Sequence, residues 1–482
     1  MPNLNDIDHF VVLMLENRSF DNLLGWLYPQ NPDFAGLSGD EGNPDGSGGV
    51  VRVWPNPLSP AVPAGASADF MKIPTPDPGE AFADITQQVF ATAAPTTAPT
   101  GQASMQGFAR NYHSAMGKPS GNPVDIMHCF LPEQVPALSA LARSYAVCDH
   151  WYASAPCQTW PNRFFVHTGT ANGYENNSPP RFPYLMDTVF NVLDDKLPNG
   201  WKIYFHDFPQ SLTLARLWEH LDHFREFDEF LEDAKQGHLP SYSFIEPRYF
   251  ADVDWPNDMH PPHNITHGDR LLARIYNALL QSPAWPRTLL VVIFDEHGGC
   301  FDHVVPPTAV PPEPPREGQV FAFDRYGVRV PAIIASPLIK PGTVFRAAPG
   351  QPPFDHTSVI STLRKRFGVA QPLTARDANA PDLEQVLNLD KGTLAPREVV
   401  QAMAAPAEDD EAALNQARLQ PLNDVQQAMY QATAHLTPLI HGVAPADHIQ
   451  FLSRGITPLI SRAEHAVEAV PFIRNIMGKL LS

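Results

Sequence analysis

The run Leu289-Leu290-Val291-Val292-Ile293-Phe294 carries six apolar residues without a charge, β-branched in the middle. Such a run reads as a strand buried on both faces, the kind a parallel sheet uses beneath two layers of helix. At its carboxyl end the character changes within one residue to Asp295-Glu296-His297, then Gly298-Gly299, then Asp302-His303. In open α/β sheets, ligands bind just beyond the carboxyl ends of the strands. Two adjacent carboxylates in that place need a neutralising partner, because buried unpaired charge is very costly. A metal ion is the simplest neutraliser, and an acidic surface turn is the plainer alternative.

A second strand, His9 to Leu15, ends in the same manner at Glu16-Asn17-Arg18-Ser19-Phe20-Asp21, where Ser19 or Asn17 can cap a helix. Two strand ends that each present carboxylates look like two halves of one site. Residues 28–105 are rich in Gly, Pro, Ala and Thr and read as a long cover laid over the core. Val135, Leu138, Leu141 and Tyr145 are spaced for a helix packed on the sheet, with Pro136 tolerated in its first turn, and Ala146 to Cys148 form a short strand. Thr159-Trp160-Pro161-Asn162-Arg163 opens an apolar helix. A hydroxyl there lies where backbone N–H groups favour an anion, although threonine also serves as a plain helix cap.

Trp201 to Phe205 is a further strand that ends at His206-Asp207, and Ser241 to Ile245 is another that ends at Glu246. Between them, Leu217, Leu221, Phe224, Phe227 and Phe230 predict a helix over 211–235. A histidine-rich loop with His260-Pro261-Pro262-His263 leads to a helix over 269–280. Val330 to Ala335 is the next strand, and Phe354-Asp355-His356-Thr357-Ser358 opens a helix ending near Gly368. This alternation predicts a doubly wound α/β/α sandwich with a mostly parallel central sheet over residues 1–396. Residues 397–482 turn rich in Ala, Gln and Leu, pass through the acidic run Glu408 to Glu411, and predict a helical C-terminal extension. The amphipathic stretch from Ile449 to Leu481 is expected to pack on the main domain or a second subunit, with a membrane surface as the alternative.

The formal charge of −19 argues against nucleic acid, which needs a basic face, and makes a zwitterionic or neutral substrate easier to accommodate. Four cysteines without paired spacing read as free buried thiols. The N-terminus lacks the basic and long apolar regions of a cleavable signal, so a cytoplasmic location or a non-classical export route is expected. Oligomeric state is not legible.

The motifs LENRSFDN, TWPNR, HPPHN, FDEHGGCFDHVVPP, RVPAIIASPLI and FDHTSVI stand in this order between residues 5 and 370. Together they resemble the bacterial phosphoesterase family, which holds non-specific phospholipases C and acid phosphatases of the alkaline-phosphatase-like superfamily. The resemblance implies hydrolysis through a covalent phospho-enzyme. Thr159 would be the nucleophile, and Glu16, Asn17, Asp295, Glu296 and the Thr159 oxygen the metal ligands. His260 would bind phosphate or act as an acid, with His206 as a second catalytic histidine. Asn162, Arg163, His128, His263, His297 and His356 would contact substrate or phosphate. Cys157-Gln158 departs from the family's frequent Gly-Pro before the nucleophile. The implied cofactor is a divalent metal, with zinc expected and calcium, magnesium or manganese as alternatives, since oxygen ligands favour a hard cation. The implied substrate is a phospholipid met at a membrane surface, phosphatidylcholine first, with Trp160, Tyr249 and Trp255 as candidates to cage its ammonium. An acid phosphatase and a metal-stabilised binding protein without turnover are the alternatives.

Overall fold

The computed structural model describes the chain except residues 1, 56, 100, 116, 178–183, 390–397, 407–409, 453–462 and 482. Eight strands form the central sheet: β1 (His9–Leu15), β2 (Ala146–Cys148), β3 (Trp201–Phe205), β4 (Phe224–Glu226), β5 (Tyr242–Ile245), β6 (Thr288–Phe294), β7 (Ala332–Ala335) and β8 (Thr343–Phe345). Their order across the sheet is β8-β2-β7-β6-β1-β5-β3-β4. Only β7 runs against its neighbours β6 and β2; every other pairing is parallel. The doubly wound, mostly parallel sheet expected from the sequence is therefore present.

Strand β6 is buried along its whole length, and β1 along all but its first residue. They lie side by side at the centre, with Leu15 in register with Phe294. This register carries the two acidic strand ends to the same edge of the sheet. The helix Pro136–Ser144 starts with its proline in the first turn, and the helix Thr357–Phe367 stops at Gly368, a left-handed C-terminal cap.

Some sequence expectations need correction. Residues 211–235 are not one helix. They break into 3₁₀ turns at Gln210–Thr213, Ala215–Leu217 and Leu221–His223, then edge strand β4, and only Phe227–Gln236 is α-helical. Leu217, Phe224, Phe227 and Phe230 are buried and Leu221 is partly buried in these broken elements, so their spacing alone could not separate the conformations. Ser19, not Asn17, caps the first helix, accepting a hydrogen bond from the Asn22 N–H. The cover over residues 28–105 is more ordered than its composition indicates. It contains a two-stranded ribbon, Gly42–Pro44 with Val50–Arg52, and the amphipathic helix Phe82–Phe90. Trp54, Ile73, Ile85, Val89, Phe108 and Phe301 give this layer its own small core.

The C-terminal helices Asp424–Ile440 and Ala466–Leu480 bury Val425, Met429, Ala432, Ala469, Ile473 and Ile476 in the same core cluster as the sheet. That apolar face is packed against protein, as the first expectation for this segment had it. The proposed boundary at residue 396, part of the acidic run (408–409) and residues 453–462 of the amphipathic stretch lie outside the described residues. Among the described residues no helix is long and apolar enough to cross a membrane. All four cysteines are free and buried.

Beyond β6 the chain is pinned by a buried ion network. Arg329 Nη2 lies 2.9 Å from Asp21 Oδ1, and its Nε lies 3.0 Å from Asp302 Oδ1. His303 Nδ1 sits 2.6 Å from Asp21 Oδ2. Asp302 and His303 thus fix the loop that follows the strand. Removing one partner of a buried pair leaves an uncompensated charge and costs about 3–5 kcal/mol. Arg329→Met is expected to destabilise by about this amount in equilibrium denaturation, and an unchanged midpoint would contradict the assignment.

Candidate active site

Glu16 and Asn17 follow β1, Asp295 and Glu296 follow β6, and Glu246 follows β5, so adjacent strand ends deliver the carboxylates. All five residues are fully buried. Asn17 adopts the left-handed region at φ 57°, which aims its backbone N–H at Asp295 Oδ1 (2.9 Å) and its side-chain amide at Glu296 Oε1 (2.7 Å). Gly298 makes this turn possible. It has φ 59°, and a Cβ there would fall 2.2 Å from the Asn17 carbonyl oxygen. Its N–H donates to Glu296 Oε2 at 2.8 Å.

Thr159 is the first residue of the helix Thr159–Thr168 and is fully buried. Gln158 occupies the cap position and makes no side-chain capping bond, so the plain capping role is not the one realised. The Thr159 hydroxyl instead faces Asn17 Oδ1 at 3.5 Å. Asn162 holds the approach to this helix. Its oxygen accepts from the Ala155 N–H (3.0 Å), and its nitrogen donates to the carbonyls of Ala155, Cys157 and Gln158 (2.8–3.2 Å). The amide is spent on the backbone, which corrects its expected role as a phosphate ligand: Asn162 shapes the turn that presents Thr159.

Arg163, one residue further along, crosses behind the carboxylates, with Nη2 3.3 Å from Glu16 Oε1 and Nε 3.5 Å from Asp295 Oδ2. Gln210 Nε2 donates to Glu16 Oε1 at 2.5 Å. Burial pushes the Asp295 carboxyl up to about 6 despite Arg163, and raises Glu16 and Glu296 well above the ordinary glutamate range. Glu16 Oε2 and Asp295 Oδ2 are buried without a hydrogen-bond partner. The orphaned oxygens of Glu16 and Asp295, the Asn17 amide oxygen and the Thr159 hydroxyl are the kind of oxygen donors a divalent cation takes, but Glu16, Asp295 and Glu296 do not draw together as closely as Asp77, Glu80 and His260, whose ligand atoms lie within 4.8 Å of one another.

The expected histidines separate into groups. His260 is fully buried beside this centre. Its Nδ1 lies 2.6 Å from the Pro261 carbonyl and donates to it, and burial lowers its pKa, so in the neutral ring Nε2 carries the lone pair. In this state Nε2 is set to accept a proton or hydrogen bond rather than to donate one. His263 Nδ1 pairs with Asp258 at 2.7 Å, and the ring is partly exposed. It lines a cavity of about 540 Å³ together with Trp255, Pro256, Pro262 and Leu422. His297 reaches Gln88 Oε1 at 2.8 Å and lies 3.3 Å from Glu296 Oε2. His356 has both nitrogens occupied, by the Asp295 carbonyl (2.6 Å) and Trp151 Nε1 (3.3 Å), so it supports the strand end rather than a phosphate.

His206 and His128 are not brought into the centre. His206 bonds the Glu246 carbonyl at 3.0 Å, stacks on Phe227 and opens on a different cavity, with Arg248 and Trp255. His128 is enclosed by Trp54, Phe70 and Phe130, and burial lowers its pKa to about 3. Of the aromatics considered for an ammonium cage, Trp160 and Tyr249 are buried and only Trp255 borders a cavity.

Sequence reasoning missed the contribution of the cover. Asp77 and Glu80 reach the centre from it, Glu80 Oε2 accepting from Asn17 Nδ2 at 2.6 Å. Lys118 Nζ lies 2.6 Å from Asp77 and 2.9 Å from Asp424 of the C-terminal extension. The one signal was a pair of carboxylates framed by proline and glycine, Asp77-Pro78-Gly79-Glu80, inside a loose region.

A hydroxyl at a helix start, set among buried carboxylates, is an arrangement that a phosphoester hydrolase can use. The chain belongs to the Phosphoesterase family, whose model matches residues 7–370, and it is a phosphoric ester hydrolase. It is 39% identical to non-specific phospholipase C3 of Arabidopsis thaliana over 402 residues, 79% of this chain and 73% of that protein. It is 38% identical to non-specific phospholipase C6 of the same plant, covering 78% and 71%. Phospholipase C B of Mycobacterium tuberculosis is 28% identical over 80% of this chain and 78% of its own length. Among solved structures, an alkaline phosphatase superfamily protein from Vibrio parahaemolyticus aligns over 58% of this chain and 78% of its own, with 15% identity and a TM-score of 0.30.

Two outcomes follow from the geometry. Asn162→Ala should cost about 1–3 kcal/mol in unfolding free energy by orphaning buried backbone groups, and unchanged stability would contradict its turn-holding role. Asp295 has a folded-state pKa raised to about 6, so the folded protein binds the proton that the unfolded chain releases near pH 4. Chelator-treated protein should therefore lose stability relative to Asp295→Asn as pH rises through this window. A difference that stays flat or reverses would contradict it.

Proposed function

We propose that this chain is a metal-dependent phospholipase C that cleaves the glycerol-side phosphoester of a phospholipid, phosphatidylcholine first, through a phosphorylated Thr159. The observation that carries the reading is the buried Thr159 hydroxyl held 3.5 Å from Asn17 Oδ1 at the joint edge of β1 and β6. Its relatives bear the name phospholipase C in a plant and in a mycobacterium.

Glu16, Asn17, Asp295, Glu296 and the Thr159 oxygen would hold the cation. When bound, it would favour the alkoxide form of the hydroxyl and offset the charge developing on phosphorus. The first step forms the Thr159 Oγ1–P bond and breaks the bond from phosphorus to the glycerol oxygen, which leaves as diacylglycerol after taking up a proton. Water then attacks phosphorus, releases the phosphorylated head group and restores the hydroxyl. Arg163 neutralises Glu16 and Asp295 from behind, and Asn162 fixes the turn from which Thr159 attacks.

His263 is the histidine placed to meet substrate, since it is oriented by Asp258 and borders a cavity with apolar walls from Trp255, Pro256, Pro262 and Leu422. These apolar walls would suit the acyl part of a substrate presented from a membrane surface, although Glu16, Asn17, Thr159, Asp295 and Glu296 do not themselves line this cavity. Zinc is the metal we propose, because histidines border the oxygen ligands.

Thr159→Ala should lower turnover of phosphatidylcholine on the order of 10³-fold or more, while Thr159→Ser retains a measurable part of it. Unchanged hydrolysis in the alanine variant would remove the nucleophile assignment. The wild type should favour phosphatidylcholine and the choline ester of p-nitrophenyl phosphate over p-nitrophenyl phosphate itself. A preference for the monoester would make the chain an acid phosphatase.

A further inference from the structure

The edge of the sheet opposite the carboxylate centre carries a separate group of ligating side chains. Strand β3 enters the sheet at Trp201, which is level with Tyr242 and, through it, with Phe10. Glu16 stands six residues after Phe10, so at about 3.3 Å per residue the two places lie roughly 20 Å apart along the strands. Asp194, His220 and His223 gather at this far edge, each offering one ligand atom within 4.8 Å of the others. Asp194 is exposed and both rings are partly so, which leaves them open to a cation from solvent.

The local fold explains why the three meet. His220 caps the 3₁₀ turn Leu221–His223, and side chains three apart in such a turn lie one above the other. The two imidazole centroids are 5.7 Å apart. Asp194 arrives from another segment, at the end of the helix Val189–Leu193. Trp201 then orients two of the three. Its indole N–H donates to Asp194 Oδ1 at 2.7 Å, which leaves Oδ2 for a ligand. Its carbonyl accepts from His223 Nδ1 at 2.8 Å, which leaves the lone pair on Nε2. The His223 ring also stacks on the indole, with centroids 4.0 Å apart. An imidazole whose other nitrogen donates to a carbonyl is the arrangement that metal-ligating histidines adopt. Among the described residues no lysine or arginine pairs with Asp194, whereas Asp77 and Glu80 share Lys118.

We propose that Asp194, His220 and His223 form a surface site for a divalent transition-metal cation of the zinc type. Two imidazoles and a carboxylate suit zinc better than calcium or magnesium, which take oxygen ligands. Zinc ligands lie about 2 Å from the ion, so the three atoms draw in by on the order of 1 Å on binding, a movement their exposure allows. The ion ties the turn before edge strand β4 to the segment that leads into β3. Its role is to hold this edge of the sheet, and it does not rest on the cation proposed for Glu16 and Asp295.

The test counts zinc. Full-length protein is stripped with chelator and dialysed against a zinc buffer at micromolar free Zn²⁺. Bound metal is then measured in the wild type, Asp194→Asn and His220→Ala, each checked for a native circular dichroism spectrum. Asp194→Asn keeps an acceptor for the Trp201 indole and removes only the carboxylate, and either variant carries the comparison should the other fail to fold. We expect each variant to bind one equivalent less than the wild type and to show a smaller rise in thermal unfolding midpoint with Zn²⁺. Hydrolysis of the choline ester of p-nitrophenyl phosphate should stay at the wild-type rate. Equal zinc content in all three proteins, including none in any, overturns the site. A lost equivalent accompanied by lost hydrolysis places the missing ion at the carboxylate centre and overturns it too.

Discussion

The constraint on which the structure turns is the burial of carboxylates at one edge of a hydrophobic sheet. β1 and β6 are apolar almost throughout, and their register brings Glu16, Asn17, Asp295 and Glu296 together where water is excluded. Charge in such a place needs a partner. The surroundings are arranged to supply one: Arg163 enters from the helix behind, Asn17 and the Gly298 N–H donate hydrogen bonds, and the cover closes over the front. The extension takes part at one remove, as Asp424 holds Lys118 and Lys118 holds Asp77.

A second acidic cluster a few residues along shows the difference between structural and chemical use of buried charge. Asp21 and Asp302 meet Arg329 and His303 at hydrogen-bonding distance, and the arginine also binds the carbonyls of Ala35 and Asp149. That cluster is complete within the protein and clamps the loop after β6. At the Glu16–Asp295 centre, Arg163 stands off by 3.3 and 3.5 Å, and oxygens of Glu16, Asp295 and Glu80 remain without donors. Both clusters come from one motif, Asp295 to His303, so spacing along the chain does not separate them. The geometry of their cationic partners does.

The sequence made the sheet legible because strands buried on both faces leave unbroken apolar runs, and it made the two acidic strand ends legible because the change of character there is abrupt. The place of Thr159 at a helix start was readable, and its role as nucleophile is what the resemblance implies and what we propose. Less was visible where function depends on long-range folding. Asp77 and Glu80 sit in a stretch of low hydrophobicity whose docking against Asn17 no local pattern announces. His128, His206, His260 and His356 are all histidines in polar or aromatic neighbourhoods, and only the atom each nitrogen meets separates a core packer such as His128 from a strand support such as His356. Asn162 looked like a phosphate contact because it follows the proposed nucleophile, yet its amide is used up by the backbone that places Thr159.

The central claim is that Thr159 carries the phosphoryl group during turnover. The most direct measurement is an acid quench of the metal-loaded enzyme during steady-state hydrolysis of a phosphate diester labelled at phosphorus, followed by peptide mapping. The account predicts label on the peptide holding Thr159, absent in Thr159→Ala and released when turnover is allowed to finish. Sustained hydrolysis with no covalently bound label, or label on another residue, would contradict it.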